Sequence, residues 1–225
     1  MTKTLKEYLN WAEEKQVAIG HFNVSDSEGL KAVVESATEL GVPVIIGVSE
    51  GERSFLGVAE IRALVSVEQD KGLPVFLNAD HTYTIPASMD AIDQKYDALI
   101  IDGAEKPFVE NVMMTKEVVA YARAHHPEML VEGELGFIGK SSSLHDEIPE
   151  GVSEETQTTP EDAQRFVEET GVDLFAPSVG NIHGLIRSGE PKLNIKRIKD
   201  LAKVVKIPMV LHGASGNTDE EIVEA

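Results

Sequence analysis

The chain has 225 residues, no cysteine, and 20 Lys and Arg against 39 Asp and Glu, for a formal charge of −19. That balance argues against nucleic acid or an anionic membrane surface as a partner, because both need clustered cations. The missing thiols exclude disulfides and thiolate metal sites, so any metal must be held by His and carboxylate. No apolar run approaches the roughly 20 residues of a membrane span, and no apolar signal-peptide core follows Met1-Thr2-Lys3. The chain reads as one cytoplasmic domain over 1–225.

Residues 4–15 read as an amphipathic helix with Leu5, Tyr8, Leu9 and Ala12 on one face. Val17–Val24 reads as a first strand, and Ser25-Asp26-Ser27 as the start of a helix that ends near Leu40 in a left-handed cap at Gly41. Pro43–Ser49 is a second buried strand; a loop and a helix then lead to a third, Pro74–His81. Gly41-Val42-Pro43-Val44 recurs as Gly72-Leu73-Pro74-Val75, a spacing of 31 residues, and Ile207-Pro208-Met209 echoes it. A period near 30 with alternating strand and helix marks repeated βαβ units.

Further strands are expected over Asp97–Gly103, Met129–Gly136, from Val172, and over Pro208–Leu211. Helices are expected over Val109–Ala124, from Thr159-Pro160 to Gly171, over Asn194–Val205, and from Asn217-Thr218-Asp219-Glu220 onward. Residues 137–158 are rich in Gly, Ser and acid and too long for a plain turn, so they read as a mobile active-site loop. Seven strand candidates are present and an eighth is not. The expected fold is α/β, a TIM (β/α)8-type barrel lacking its eighth strand and C-terminal helices, incomplete at the C-terminus.

The chemistry gathers where strands end. Asn78-Ala79-Asp80-His81, Gly180-Asn181-Ile182-His183-Gly184 and His212-Gly213-Ala214-Ser215-Gly216 each put an imidazole at a strand exit. Of the seven histidines, His125 and His126 precede Pro127 in a polar turn and read as surface. His145 falls in the long loop, and His21, inside a strand, reads as packing. One strand-end His is ordinarily a hydrogen-bonding residue; three at one barrel rim fit a three-histidine metal site with an open position. His81, His183 and His212 are therefore the candidate ligands.

Asp80 is a candidate acid/base beside the metal, with helix capping as its rival. Asp102 and Glu134 end strands four and five, as partners that orient the ligands or as ligands at a second position. The free N–H groups of the loop His212–Gly216 suit a phosphate, and Asn23 and Ser49 would complete a polar rim unless they serve as caps.

Together Asn78–His81, Ile101-Asp102-Gly103 with Pro107–Asn111, Glu132-Gly133-Glu134-Leu135-Gly136, Val179–Gly184 and Leu211–Gly216 resemble the class II, zinc-dependent ketose-bisphosphate aldolases over nearly the whole chain. The resemblance implies a TIM barrel with catalytic zinc on His81, His183 and His212, Asp80 as acid/base, and Asp102 and Glu134 as a second metal site. It also implies Gly184, Gly213 and Ser215 on a substrate phosphate and a monovalent cation, and Asn23 and Ser49 on the substrate.

The implied reaction is reversible cleavage of fructose 1,6-bisphosphate to dihydroxyacetone phosphate and glyceraldehyde 3-phosphate, with tagatose bisphosphate as the sister substrate. A phosphorylated sugar is the expected partner, and a homo-oligomer the expected assembly. Two rivals stand: a catalytically silent barrel that binds metal or sugar phosphate, and a barrel hydrolase. In this chain Gly139-Lys140-Ser141-Ser142-Ser143 stands where the family carries a glycine pair and acids, leaving Asp146, Glu147 and Glu150 as candidates for the loop base. Ala214 replaces a usual glycine.

Overall fold

The computed structural model describes residues 3–139, 143–149, 151–187 and 192–225. They divide into two compact units, Met1–Asp102 with Glu117–Glu132, and Gly103–Lys116 with Gly133–Ala225.

In the first unit, α1 (Leu5–Lys15) begins at a capping box in which Thr4 and Glu7 satisfy each other's backbone N–H. Strand β1 (Gly20–Asn23) leads to α2 (Ser27–Leu40), capped by Asp26 at one end and by Gly41 at φ 67° at the other. There follow β2 (Val44–Val48), α3 (Glu50–Leu56), α4 (Val58–Asp70), β3 (Val75–Thr82), α5 (Ile85–Asp93) and β4 (Ala98–Ile101). The strands are parallel and in register from Gly20↔Val44 to Val44↔Val75. All eight residues of β3 are buried, as expected of a parallel strand covered on both faces.

Helix α6 (Phe108–His125) and strand β5 (Leu130–Leu135) each run from one unit into the other. In the second unit come β6 (Leu144–His145), a 3-10 turn at Glu154–Thr156, α7 (Pro160–Thr170), β7 (Leu174–Pro177), β8 (Leu185–Ile186), α8 (Ile195–Val204), a 3-10 turn at Ala214–Gly216 and α9 (Asp219–Glu224). Its core is built on Phe166, Phe175, Val179 and Leu201.

The described strands give an α/β fold with a six-stranded parallel sheet, ordered β1-β2-β3-β4-β5-β7, that does not close; β6 and β8 pair separately, also in parallel. Three expectations change in detail. The stretch after β2 is helical at once, because Ser49 and Glu52 close a second capping box. A short helix, α5, starts at Thr84 with Pro86 in its first turn, in a stretch for which no helix was expected. Pro208–Leu211 adds only an isolated parallel bridge, Phe175↔Met209. Pro208 has no N–H to extend the ladder, and its carbonyl accepts from Phe175 at 3.1 Å.

Candidate active site

In the first unit the chemistry rests on an irregularity at the end of β3. Asn78 pairs with Ala98 and Ala79 with Leu99, but the next pair is Thr82 with Ile101. Three steps along β3 therefore answer two along β4, which is a β-bulge. His81 occupies it with φ 40°, a left-handed conformation rare outside glycine and concentrated at functional sites. Strand alternation would turn Asp80 and His81 to opposite faces. The bulge removes that constraint, and Nε2 of His81 lies 4.0 Å from Oδ1 of Asp80.

Both side chains are buried. Nδ1 of His81 is 2.9 Å from Oδ2 of Asp102, whose own N–H donates to the Thr82 carbonyl at 2.9 Å. A carboxylate only accepts, so Nδ1 is the donor of this pair. Asn23, at the end of β1, donates through Nδ2 to Oδ2 of Asp80 at 2.9 Å and to Glu52 at 3.2 Å. Ser49 caps α3, its Oγ accepting from the Glu52 N–H at 3.3 Å. His21 is half-buried and its Nε2 lies 3.1 Å from the Asn78 amide nitrogen.

Arg53, on α3, supports the bulge from beneath. It is 3 % exposed; Nη1 donates to the carbonyls of Val48 and, at 3.1 Å, Asp80, while Nη2 donates to Oγ1 of Thr82 at 2.9 Å. Burial pulls the guanidinium below its ordinary value, against nearby charge that includes Glu50, Asp80 and Asp90, and it stays a cation.

In the second unit two loops come together. His183 follows β7 by way of Gly180-Asn181-Ile182, and His212 follows the bridge at Met209. Their ring centroids are 5.8 Å apart at 55°, and both residues are half-buried. Gly213, at φ 66°, lets the two loops touch: a Cβ there would sit 2.5 Å from the Ile182 carbonyl oxygen. Gly184, at φ 91°, admits the Ser143 carbonyl, 2.0 Å from where its own Cβ would be. Both expected phosphate-loop glycines thus allow close backbone approach.

The Ser215 side chain lies outside the described residues, as does Glu150. His145 lies 3.1 Å from the His183 carbonyl through Nε2, and the exposed Asp146 pairs with Arg187 at 3.2 Å. Glu134 is buried on β5, where its carbonyl accepts from Asn111 Nδ2 at 2.8 Å. Elsewhere His125 stacks on Tyr121 with centroids 3.9 Å apart, a surface role, as expected.

The donor chemistry fits a borderline divalent cation: imidazole nitrogen and carboxylate, with one imidazole already oriented by a carboxylate on its other nitrogen. The spacing of the His183 and His212 rings is that of two imidazoles able to converge on one ion at about 2.0–2.1 Å each. Sequence reasoning passed over Arg53 and Asn181. The first stands in a stretch that reads as loop, and the second lies inside a quoted motif with no role given.

The family model described as fructose-bisphosphate aldolase class-II matches residues 3–225. The chain is 37% identical over 218 residues to a protein named probable fructose-bisphosphate aldolase from Bacillus subtilis (strain 168), covering 95% of this chain and 73% of that one. It is 34% identical over 226 residues to the fructose-bisphosphate aldolase of Staphylococcus aureus (strain Mu50 / ATCC 700699), covering 99% and 76%. Among solved structures, the YdjI aldolase from Escherichia coli K12 superposes with a TM-score of 0.83 at 32% identity, covering 100% of this chain and 77% of that one. The fructose-bisphosphate aldolase of Campylobacter jejuni does so with a TM-score of 0.79 at 25% identity, covering 98% and 71%.

Proposed function

Because this chain belongs to the class II fructose-bisphosphate aldolase family, we propose that it is a zinc-dependent lyase that reversibly cleaves a ketose bisphosphate. Fructose 1,6-bisphosphate is the favoured substrate, giving dihydroxyacetone phosphate and glyceraldehyde 3-phosphate. The observation that carries this reading is the His81–Asp102 pair at the β3 bulge, a carboxylate-oriented imidazole next to a buried Asp80.

In this reading, which follows the family resemblance, His81, His183 and His212 would hold the zinc ion, and Asp102 and Glu134 would serve a second metal position. When bound, the ion supplies a Lewis acid that stabilises negative charge developing on a carbonyl oxygen. Asp80 takes the proton from the hydroxyl on the carbon that becomes the aldehyde. As the neighbouring C–C bond breaks, the aldehyde carbonyl forms and the bonding electron pair stays with the ketone half. Asn23, hydrogen-bonded to Oδ2 of Asp80, holds that carboxylate in place.

A loop acid within 137–158, Asp146, Glu147 or Glu150, then returns a proton to the ketone half. Backbone N–H groups of the 212–216 loop receive a phosphate, and backbone and hydroxyl groups of Gly184, Gly213 and Ser215 contact that phosphate and, through oxygen, a monovalent cation, which lets a chain of charge −19 take an anionic substrate locally; Ser49 contributes a polar contact. A homo-oligomer working in the cytoplasm completes the proposal. No helix of the described residues is long and apolar enough to cross a membrane.

A coupled assay with fructose 1,6-bisphosphate, run with and without a chelator, tests the reading. Activity should vanish on chelation and return with zinc, and His183→Ala should lose both metal and turnover. Turnover that survives complete metal removal would refute it.

A further inference from the structure

Asn181 has no part in the reaction as described, yet it is fully buried between the two loops that carry His183 and His212. Its side-chain oxygen accepts from the Val179 N–H at 2.8 Å, and its amide nitrogen donates to the His212 carbonyl at 2.8 Å. The first bond closes a tight turn at Gly180, which holds φ 94° and whose Cβ position lies 2.3 Å from the Lys192 carbonyl oxygen. That turn sets the direction in which Ile182 and His183 leave β7. The second bond fastens the main chain of His212 itself. One amide therefore spans from the loop of one imidazole to the backbone of the other.

We propose that Asn181 is a positioning residue that sets the spacing and tilt of the His183 and His212 imidazoles, and so the affinity and geometry of the metal they bind. The inference rests on the reading of those two residues as ligands. A packing role alone would be met by any side chain of similar volume, but this position asks for an acceptor and a donor at once. Aspartate keeps the acceptor toward Val179 and cannot donate to His212. Serine is too short to span both partners. Asparagine satisfies both, and no polar atom of the amide plane is wasted on solvent. Outer hydrogen-bond partners of metal ligands act in this way, and their loss typically costs about 10–100-fold in metal affinity.

The test uses the full chain, stripped of metal and titrated with zinc, and separately loaded with cobalt(II) for its visible absorption spectrum. Asn181→Asp and Asn181→Ala are compared with wild type and with His183→Ala. The expected result is a zinc Kd weakened by about 10–100-fold in both Asn181 variants and an altered cobalt spectrum. The metal-free melting temperature should fall in both variants, since each loses a buried hydrogen bond, while the chain remains folded.

Wild-type Kd and spectrum in either folded variant would overturn the proposal. So would loss of the metal-free fold in both, since Asn181 would then be a structural residue only. If His183→Ala binds zinc like wild type, the ligand reading itself fails and takes this proposal with it. If His183→Ala loses zinc while Asn181→Asp does not, the positioning role alone fails.

Discussion

The guanidinium of Arg53 donates to the main-chain carbonyl of Asp80 at 3.1 Å, so a cation from α3 holds the backbone at the point where β3 leaves its regular pairing. The left-handed His81 that follows costs energy, of order 1–3 kcal/mol for a residue in such a region. It persists because its neighbours Asp80 and Thr82 are both tied to the same buried group.

Arg53→Met would keep much of the buried volume and remove every donor. The carbonyls of Val48 and Asp80 and the hydroxyl of Thr82 would then face an apolar side chain. Charged hydrogen bonds contribute about 1.5–3 kcal/mol each and stranded acceptors cost about 1–3, though the three share one group and do not add. We expect a loss of about 2–5 kcal/mol in urea unfolding at unchanged m-value, with Arg53→Lys recovering part of it. A shift below about 1 kcal/mol would mean that the bulge is held by other contacts.

Asp80→Asn preserves shape and removes the ability to accept a proton. If Asp80 is the acid/base, cleavage should slow by about 10²–10⁴-fold while zinc content, measured by atomic absorption, stays at the wild-type level. Asn23→Ala removes one hydrogen bond to the same carboxylate and should cost about 10–100-fold, the rate equivalent of a lost bond to a charged group. An unaltered rate in Asp80→Asn would remove Asp80 from the reaction.

Local chemistry was legible in the sequence. Asp26 and Gly41 bound α2 as expected, and Thr159, Pro160 and Gly171 bound α7, because caps and left-handed stops depend on a few adjacent residues. Buried parallel strands also read well, since β2 and β3 are continuous apolar runs that stop at polar exits. The bulge did not, because alternation is a rule for regular strands and Ala79-Asp80-His81-Thr82 carries no glycine to mark a left-handed residue.

Arg53 was hidden for a different reason. Its meaning comes from burial against β2 and β3, while its neighbours Glu50, Gly51 and Glu52 read as loop. Asn181 was visible as a letter and silent as a role, since its partner, the His212 carbonyl, is 31 residues away. The candidate ligands could be named because three imidazoles stand at strand ends; Arg53 and Asn181 belong to no such repeated pattern.

Gly213→Ala probes the close passage of the two loops. The substitution would impose a side chain at φ 66° and place Cβ 2.5 Å from the Ile182 carbonyl oxygen and 3.0 Å from the His183 nitrogen, so backbone must move. A cost of about 1–3 kcal/mol is expected, which for a chain of this size lowers the melting temperature by about 2–12 °C. Zinc binding should weaken as well, because the segment displaced carries His183. A variant as stable as wild type would mean that the loops separate without penalty.

His126 gives the chain a pH dependence away from the candidate site. It follows α6 and is half-buried; burial first, and the charge of Lys95 second, hold its imidazole below the ordinary value, only partly opposed by Asp97 and Glu128. A histidine whose folded value is depressed binds its proton more readily when unfolded. Its stabilising contribution is therefore complete above the unfolded value of about 6.5 and is lost as pH falls through that value toward the lower, folded one. His126→Gln should leave stability at pH 8 little changed and flatten its decline between about pH 6.5 and 5.5, read from urea midpoints at successive pH values. A decline equally steep in the variant would assign the acid sensitivity to the carboxylates instead.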